Sequence, residues 1–320
     1  MLVTFAGSPD RAEAQLVPQA GYELDTFRIT GLPRRPSPAL ARATLLAGRA
    51  PFACARILAR RRPDVVLGGG GFVAGPMALA AWRSRIPTAL TETDAKLGLA
   101  NRLARPFARR VFLAYPPPRG AKTRVVGRPI PTRSFVVPRA EARARFELPT
   151  EGPVLLVAGA LAGAHALNEL ALESFGASGP AVLHISGERD YEWLRARVSR
   201  PEYRVVPFVE DFGAALGAAN LAVARAGGTV WELAAAALPA IFVPYPFATG
   251  DHQTLNARYF ERAGGAIVVP ETELGRVPDV ARSLLGDAGR LDAMSRAMRG
   301  VAKPDAAREI AEELIELAAA

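Results

Sequence analysis

The chain has 320 residues, half of them apolar, with a formal net charge of +9, one cysteine and three histidines. That suffices for two ordinary domains with real cores. A lone Cys54 excludes an intrachain disulfide, which suits a reducing cytosol, and with so few histidines it speaks against a structural zinc site. Residues 65–82 and 233–250 lack charges, but their Gly and Pro content reads as strand–turn–helix units rather than membrane spans. The first residues do not read as a signal peptide.

Charge is divided unevenly. Residues 1–133 hold 22 Lys+Arg against 7 Asp+Glu, and residues 134–320 hold 18 against 24. A basic first part calls for an anionic partner: lipid head groups, a lipid diphosphate or nucleic acid. GC-rich coding would explain the number of arginines but not their partition.

Residues 2–6 read as an apolar strand, 7–9 as a turn into a helix ending near Ala20, and 23–29 as a second strand. Residues 40–62 read as a helix in which Leu45, Leu46, Phe52, Ile57 and Leu58 interleave with six arginines. Packing on a sheet and lying on a membrane surface are its two readings. Residues 64–67 read as a strand, and four glycines follow. Gly69-x-Gly71-x-x-Ala74 fits the dinucleotide fingerprint, and Glu92 stands 21 residues beyond Gly71 at the end of the strand 88–91. Against NAD binding, Gly75-Pro76 puts the helix start late, because Pro prefers the first helical turn. Glu92 reads equally as a site acid and as a loop carboxylate feeding a helix N-terminus. Residues 101–110 read as a basic amphipathic helix, 111–115 as a strand and 139–146 as a charged helix.

A second sheet opens at 154–158, runs into the loop 159–164 and continues at 181–185 and 203–207. Residues 221–226 and 241–243 read as buried parallel strands, joined by Gly227-Gly228 and a helix over 229–237 that Pro239 ends. In such units ligands sit at the carboxyl ends of the strands. Thr229 and Glu232 form either a capping box or, with free amides at Gly228 and Thr229, a phosphate and sugar site. Asp251 is a candidate N-cap; Gln253 and Asn256 share one helix face, solvated or ligand-facing. Residues 264–269 read as a late strand and 304–320 as a helix.

The stretch RAGGTVWELAAAALPAIFVPYPFATGDHQTLNAR, from Arg225 to Arg258, resembles the donor-nucleotide region of MurG-type glycosyltransferases. GGGGFVAGP, followed by LTETDAKLGLANRLARPFARRVFLAYP, is similar to that family's acceptor-side motifs. The resemblance covers almost the whole chain. It implies an α/β fold of two Rossmann-like domains facing a cleft, the GT-B arrangement. Residues 1–133 would form the acceptor and membrane side, 134–303 the UDP-sugar side, and 304–320 a helix packed back on the first domain. The implied reaction is an inverting transfer of N-acetylglucosamine from UDP-GlcNAc to undecaprenyl-diphospho-muramoylpentapeptide in peptidoglycan precursor synthesis. It would take place on the inner face of the cell membrane, against an anionic surface, with no metal, cofactor or nucleic acid. The alternatives are another GT-B enzyme, such as a glycolipid glycosyltransferase or UDP-sugar epimerase, and a non-catalytic nucleotide-sugar-binding relative.

By the same resemblance Thr229 and Glu232 meet the diphosphate and ribose, with the Gly227-Gly228 turn before them. Gln253 and Asn256 meet the sugar, the loop starting at Phe208 stacks near the uracil, and the loop with Gly159 and Gly163 holds the donor phosphate. Gly69, Gly70, Gly71 and Gly75 approach the acceptor's diphosphate, and Glu92 is the candidate for a catalytic role. The chain departs from the family in places. Leu161 stands where the family has a serine, and Thr91-Glu92-Thr93-Asp94 where it has His-Glu-Gln-Asn. Nothing matches the family's first strand, histidine-containing glycine loop and helix, so either the chain is truncated or the domain is rebuilt. With no Asp-x-Asp motif, leaving-group charge would fall on backbone amides and a helix N-terminus.

Overall fold

The computed structural model describes residues 2–31, 35, 37–118, 120–159 and 164–319. Its elements are β1 (Thr4–Gly7), α1 (Glu13–Gln19), β2 (Glu23–Thr26), α2 (Pro38–Arg61), β3 (Val66–Gly68), α3 (Gly71–Arg83), β4 (Thr88–Glu92), α4 (Leu99–Ala104), β5 (Arg110–Leu113), β6 (Thr123–Val125), α5 (Arg139–Arg145), β7 (Val154–Ala158) and α6 (His165–Phe175). There follow β8 (Ala181–Ile185), α7 (Glu188–Arg195), β9 (Tyr203–Val206), α8 (Phe212–Ala218), β10 (Leu221–Ala224), α9 (Thr229–Ala235), β11 (Ala240–Phe242), α10 (His252–Arg262), β12 (Ala266–Val268), α11 (Val277–Leu285), α12 (Ala288–Val301) and α13 (Ala306–Ala319). The chain divides into two compact units. The first comprises Met1–Thr93, Leu97–Val126 and Arg308–Ala320; the second comprises Asp94–Lys96 and Gly127–Ala307.

In the first unit β3, β4, β5 and β6 form a parallel sheet in that order, and β1 pairs in parallel with β2. Helix α2 starts at Ser37, whose hydroxyl accepts the Leu40 amide, and ends at Arg62 in the left-handed region. Its inner side, Ala50, Cys54 and Leu58, packs on Met77 and Ala81 of α3. Burial pushes the Cys54 thiol up to about 12, which leaves it a core side chain rather than a nucleophile. Ile310 and Leu317 of α13 cluster with Ala89, Phe112 and Val126, and Glu313 accepts from Arg110 Nε at 2.9 Å.

Two expectations are corrected here. Helix α3 begins at Gly71 and runs through Pro76, so proline does not set its start. Gly70, at φ 87 and ψ −162, makes the turn that lets the helix begin early, and Pro76 withdraws a donor only from the first turn's carbonyls. The basic helix expected to reach residue 110 stops at Ala104 and tightens into a 3-10 turn, Arg105–Phe107, because Pro106 cannot donate.

The second unit is a six-stranded parallel sheet in the order β12-β11-β10-β7-β8-β9. β7 and β10 are buried along their whole length, as central parallel strands are when helices cover both faces. The order is that of a doubly wound sheet, and it reverses between β7 and β10. Gly213 and Gly217 of α8 let the backbone at Phe135 and Val137 lie directly on the helix; a β-carbon at either would strike it.

Two buried polar groups organise the interior. Arg143 donates to the carbonyls of Ala218, Pro149, Thr150 and Gly152 and to Asn220 Oδ1, at 2.7–3.2 Å. It thereby ties α5 to the approaches of β7 and β10. The second group centres on His184 of β8. Asn168 Nδ2 donates to the Ser186 carbonyl and to Asp190 Oδ2, so Asn168 Oδ1, 2.9 Å from His184 Nε2, must accept. His184 therefore carries its proton on Nε2, and Nδ1 accepts from the Tyr203 hydroxyl at 2.7 Å. Full burial lowers the pKa of His184 to about 3.

Replacing Arg143 by methionine leaves five acceptors without their donor. It should cost about 3 kcal/mol or more of stability, read by urea denaturation. His184 gives a pH signature. The unfolded imidazole takes a proton below about 6.5, whereas the folded one stays neutral down to about 3. Its contribution is thus present above 6.5 and is lost as pH falls, by about 1.4 kcal/mol per pH unit in that window. Unfolding free energies at pH 7 and 4.5 should diverge less in His184→Gln than in the parent chain.

Candidate functional site

Four loops of the second unit leave the carboxyl ends of β7, β9, β10 and β11, where doubly wound sheets bind ligands. The loop after β10 is fixed by Arg225. Its side chain is buried, pairs with Glu271, donates Nη1 to the carbonyls of Val243 (3.2 Å) and Pro244 (3.3 Å), and lies over the Tyr245 ring. The loops after β10 and β11 are thereby bound together.

Gly227 and Gly228 follow, and Thr229 is the first residue of α9. Of the two readings of Thr229 and Glu232, the capping box does not form. Gly228 is the N-cap, no side chain caps the helix, and Glu232 turns away to accept from Ser134 Oγ at 2.6 Å through Oε1. Glu232 Oε2, the Thr229 hydroxyl and the amides of Gly228 and Thr229 have no partner among the described residues. Ser134 lies 98 residues away in the chain, on a 3-10 turn Thr132–Ser134, and nothing local in the sequence marks it. The same holds for Arg128, whose guanidinium lies against Gly228.

Helix α10 carries the other pair. Asp251 occupies the N-cap position, exposed and left-handed, but its side chain makes no cap bond. Gln253 Oε1 accepts the Tyr245 amide at 2.9 Å, and its Nε2 faces Gly227. Asn256 is buried, not solvated. Its Oδ1 accepts the Ala95 amide at 2.8 Å, and its Nδ2 donates to Asp94 Oδ1 (3.0 Å) and to the Ala226 carbonyl (3.2 Å). Its carboxamide is committed at both ends, holding the segment Asp94–Lys96 beside the loop after β10. Gly159 is buried directly past β7; Gly163, with Ala160 and Leu161, lies outside the described residues. Phe208, past β9, is exposed.

In the first unit Gly69 and Gly70 form the turn between β3 and α3, Gly71 opens α3 and Gly75 lies on it. Glu92 ends β4 and is buried. Its Oε2 accepts the Gly98 amide at 2.7 Å and Asn101 Nδ2 at 3.1 Å, and Asn101 also donates to the Thr91 carbonyl. That geometry matches the second of the two readings for Glu92, a carboxylate feeding the start of α4. A ribose-binding acid of a dinucleotide site would instead face solvent, and the NAD reading loses its acid.

Comparisons with known proteins identify the family. The N-terminal domain model of glycosyltransferase family 28 matches residues 2–113, and the family's C-terminal domain model matches residues 154–311. A UDP-N-acetylglucosamine–N-acetylmuramyl-(pentapeptide) pyrophosphoryl-undecaprenol N-acetylglucosamine transferase of Acidithiobacillus ferrooxidans is 41% identical, over 99% of this chain and 90% of its own. The enzyme of the same name from Halorhodospira halophila is 40% identical over the same shares. Among solved structures, Acinetobacter baumannii MurG superposes with a TM-score of 0.82 at 28% identity, covering 98% of this chain and 91% of that one. With both domain models matched and relatives near 40% identity along almost its full length, the chain belongs to glycosyltransferase family 28 and is of the MurG type.

Proposed function

We propose that the chain transfers N-acetylglucosamine from UDP-GlcNAc to lipid-linked N-acetylmuramoyl-pentapeptide, an inverting hexosyl transfer in peptidoglycan precursor synthesis. The observation that carries the donor assignment is the start of α9, with two open amides and a carboxylate held by Ser134 through one oxygen only. The donor diphosphate rests on the amides of Gly228 and Thr229, as anions do at exposed N–H groups. Glu232 Oε2 accepts from the ribose hydroxyls. Gln253 offers Nε2 to the sugar and Phe208 offers its ring to the uracil, and Gly159 and Gly163 are assigned to the donor phosphate. Asn256 acts by holding the segment Asp94–Lys96 rather than by touching the sugar.

In the transfer, the acceptor hydroxyl oxygen bonds to the anomeric carbon as the bond from that carbon to the β-phosphate oxygen breaks. The electron pair leaves with UDP, and a general base takes the hydroxyl proton. Glu92, already bonded to Gly98 and Asn101, serves as a positioning residue on the acceptor side. The loop Gly69–Gly71, with Gly75, is assigned to the lipid diphosphate.

The first unit lies on an anionic membrane surface as a peripheral protein on its cytoplasmic face. Leu45, Arg49, Phe52 and Arg56 are exposed at spacings of 4, 3 and 4 on α2, one helical face that alternates apolar and basic groups. Phe52 is 72% exposed. Among the described residues no helix is long and apolar enough to cross a membrane.

With lipid-linked muramoyl-pentapeptide and UDP-GlcNAc, the expected products are the lipid-linked disaccharide and UDP; an epimerised nucleotide sugar without transfer would overturn the assignment. Glu232→Ala should weaken UDP-GlcNAc binding more than tenfold by calorimetry, and unchanged affinity would remove the ribose role. Phe52→Glu should lower partition onto vesicles containing anionic lipid while leaving UDP-GlcNAc affinity unchanged.

A further inference from the structure

The donor assignments leave out a cationic side chain that reaches the start of α9. After β6 the chain turns at Gly127, φ 87, packed so closely on Lys303 that a β-carbon there would strike that side chain. The turn carries Arg128 onto Gly228. Its guanidinium lies across the glycine, and any β-carbon at 228 would collide with Cζ and both Nη atoms. Arg128 is partly buried, and among the described residues it has no carboxylate, carbonyl or ring partner. Elsewhere in this unit well-placed arginines find their partners, as Arg143 and Arg225 do. A half-buried guanidinium without a counter-ion, beside two amides without acceptors, is built for an anion with several oxygens.

We propose that Arg128 is a catalytic residue of the transfer. It binds the donor's diphosphate across Gly228 and takes up the negative charge that reaches the β-phosphate as the sugar leaves. The proposal rests on the donor site assigned above. When the anomeric C–O bond breaks, its electron pair stays on the β-phosphate oxygen. The guanidinium meets that charge by hydrogen bonding alone, since it does not give up its proton. The charge is larger in the transition state than in bound UDP-GlcNAc, so the interaction acts on kcat more than on KM.

The test uses the full chain with Arg128→Ala and Arg128→Lys, read by calorimetry with UDP and with uridine and by steady-state transfer kinetics. Arg128→Ala should lower UDP affinity at least tenfold with uridine affinity unchanged, and kcat should fall about a hundredfold. Arg128→Lys should recover part of both, because it restores the charge without the planar fork. Equal losses for UDP and uridine, or no loss for either, would overturn the proposal. If the parent chain bound neither UDP nor UDP-GlcNAc, the donor assignment itself would fail, and Arg128 with it. Should the alanine variant unfold on heating before the parent does, Arg128→Gln, of similar length and without charge, is read in the same way.

Discussion

Parallel strands joined by helical crossovers bring all their carboxyl ends to one edge, and the cluster of polar side chains in the second unit depends on that constraint. The strand order reverses between β7 and β10, so the loops that follow these two strands part from each other there. Into that opening the chain places glycine 159 on one side and glycines 227 and 228 on the other. Residues from distant segments then converge on the second loop: Ser134 and Arg128 from the stretch after β6, and Gln253 and Asn256 from α10. None of these would meet without the sheet order, which makes sites of this kind properties of topology as much as of motif.

The elements themselves were legible from pattern. Uninterrupted apolar runs gave the buried strands β7 and β10, and glycine after each run gave the turns. What pattern could not supply was the partner of each polar group. Thr229-x-x-Glu232 has the spacing of a capping box, yet the carboxylate bonds a serine 98 residues away. Gln253 and Asn256 share a helix face, yet one is partly open and the other is closed off by Asp94, Ala95 and Ala226. Buried polar groups are almost always bonded, and long-range folding decides to what. Proline gave a second lesson. Pro76 suits a helix start by its type, but a helix accepts it one turn later when a glycine in an unusual conformation has already opened the way.

Charged groups in this protein divide by depth. Arg143 and Arg225 are buried with several acceptors each and act as braces. His184 is buried and neutral, its tautomer fixed by an asparagine whose own amide is in use. Arg42, Arg49 and Arg56 of α2 stay at the surface, on a helix that also exposes Leu45 and Phe52, whereas Arg60 and Arg61 at its end pair with the buried Asp25.

Gly228 has φ −62 and ψ −30, a conformation any residue adopts, so its backbone does not call for glycine. The atoms that a β-carbon at 228 would meet are those of the Arg128 guanidinium, the far end of a flexible side chain. A side chain at 228 would therefore push the guanidinium aside and leave the backbone in place. What the bare position fixes is where the arginine rests, so glycine here acts on the reach of a cation rather than on the fold of the loop.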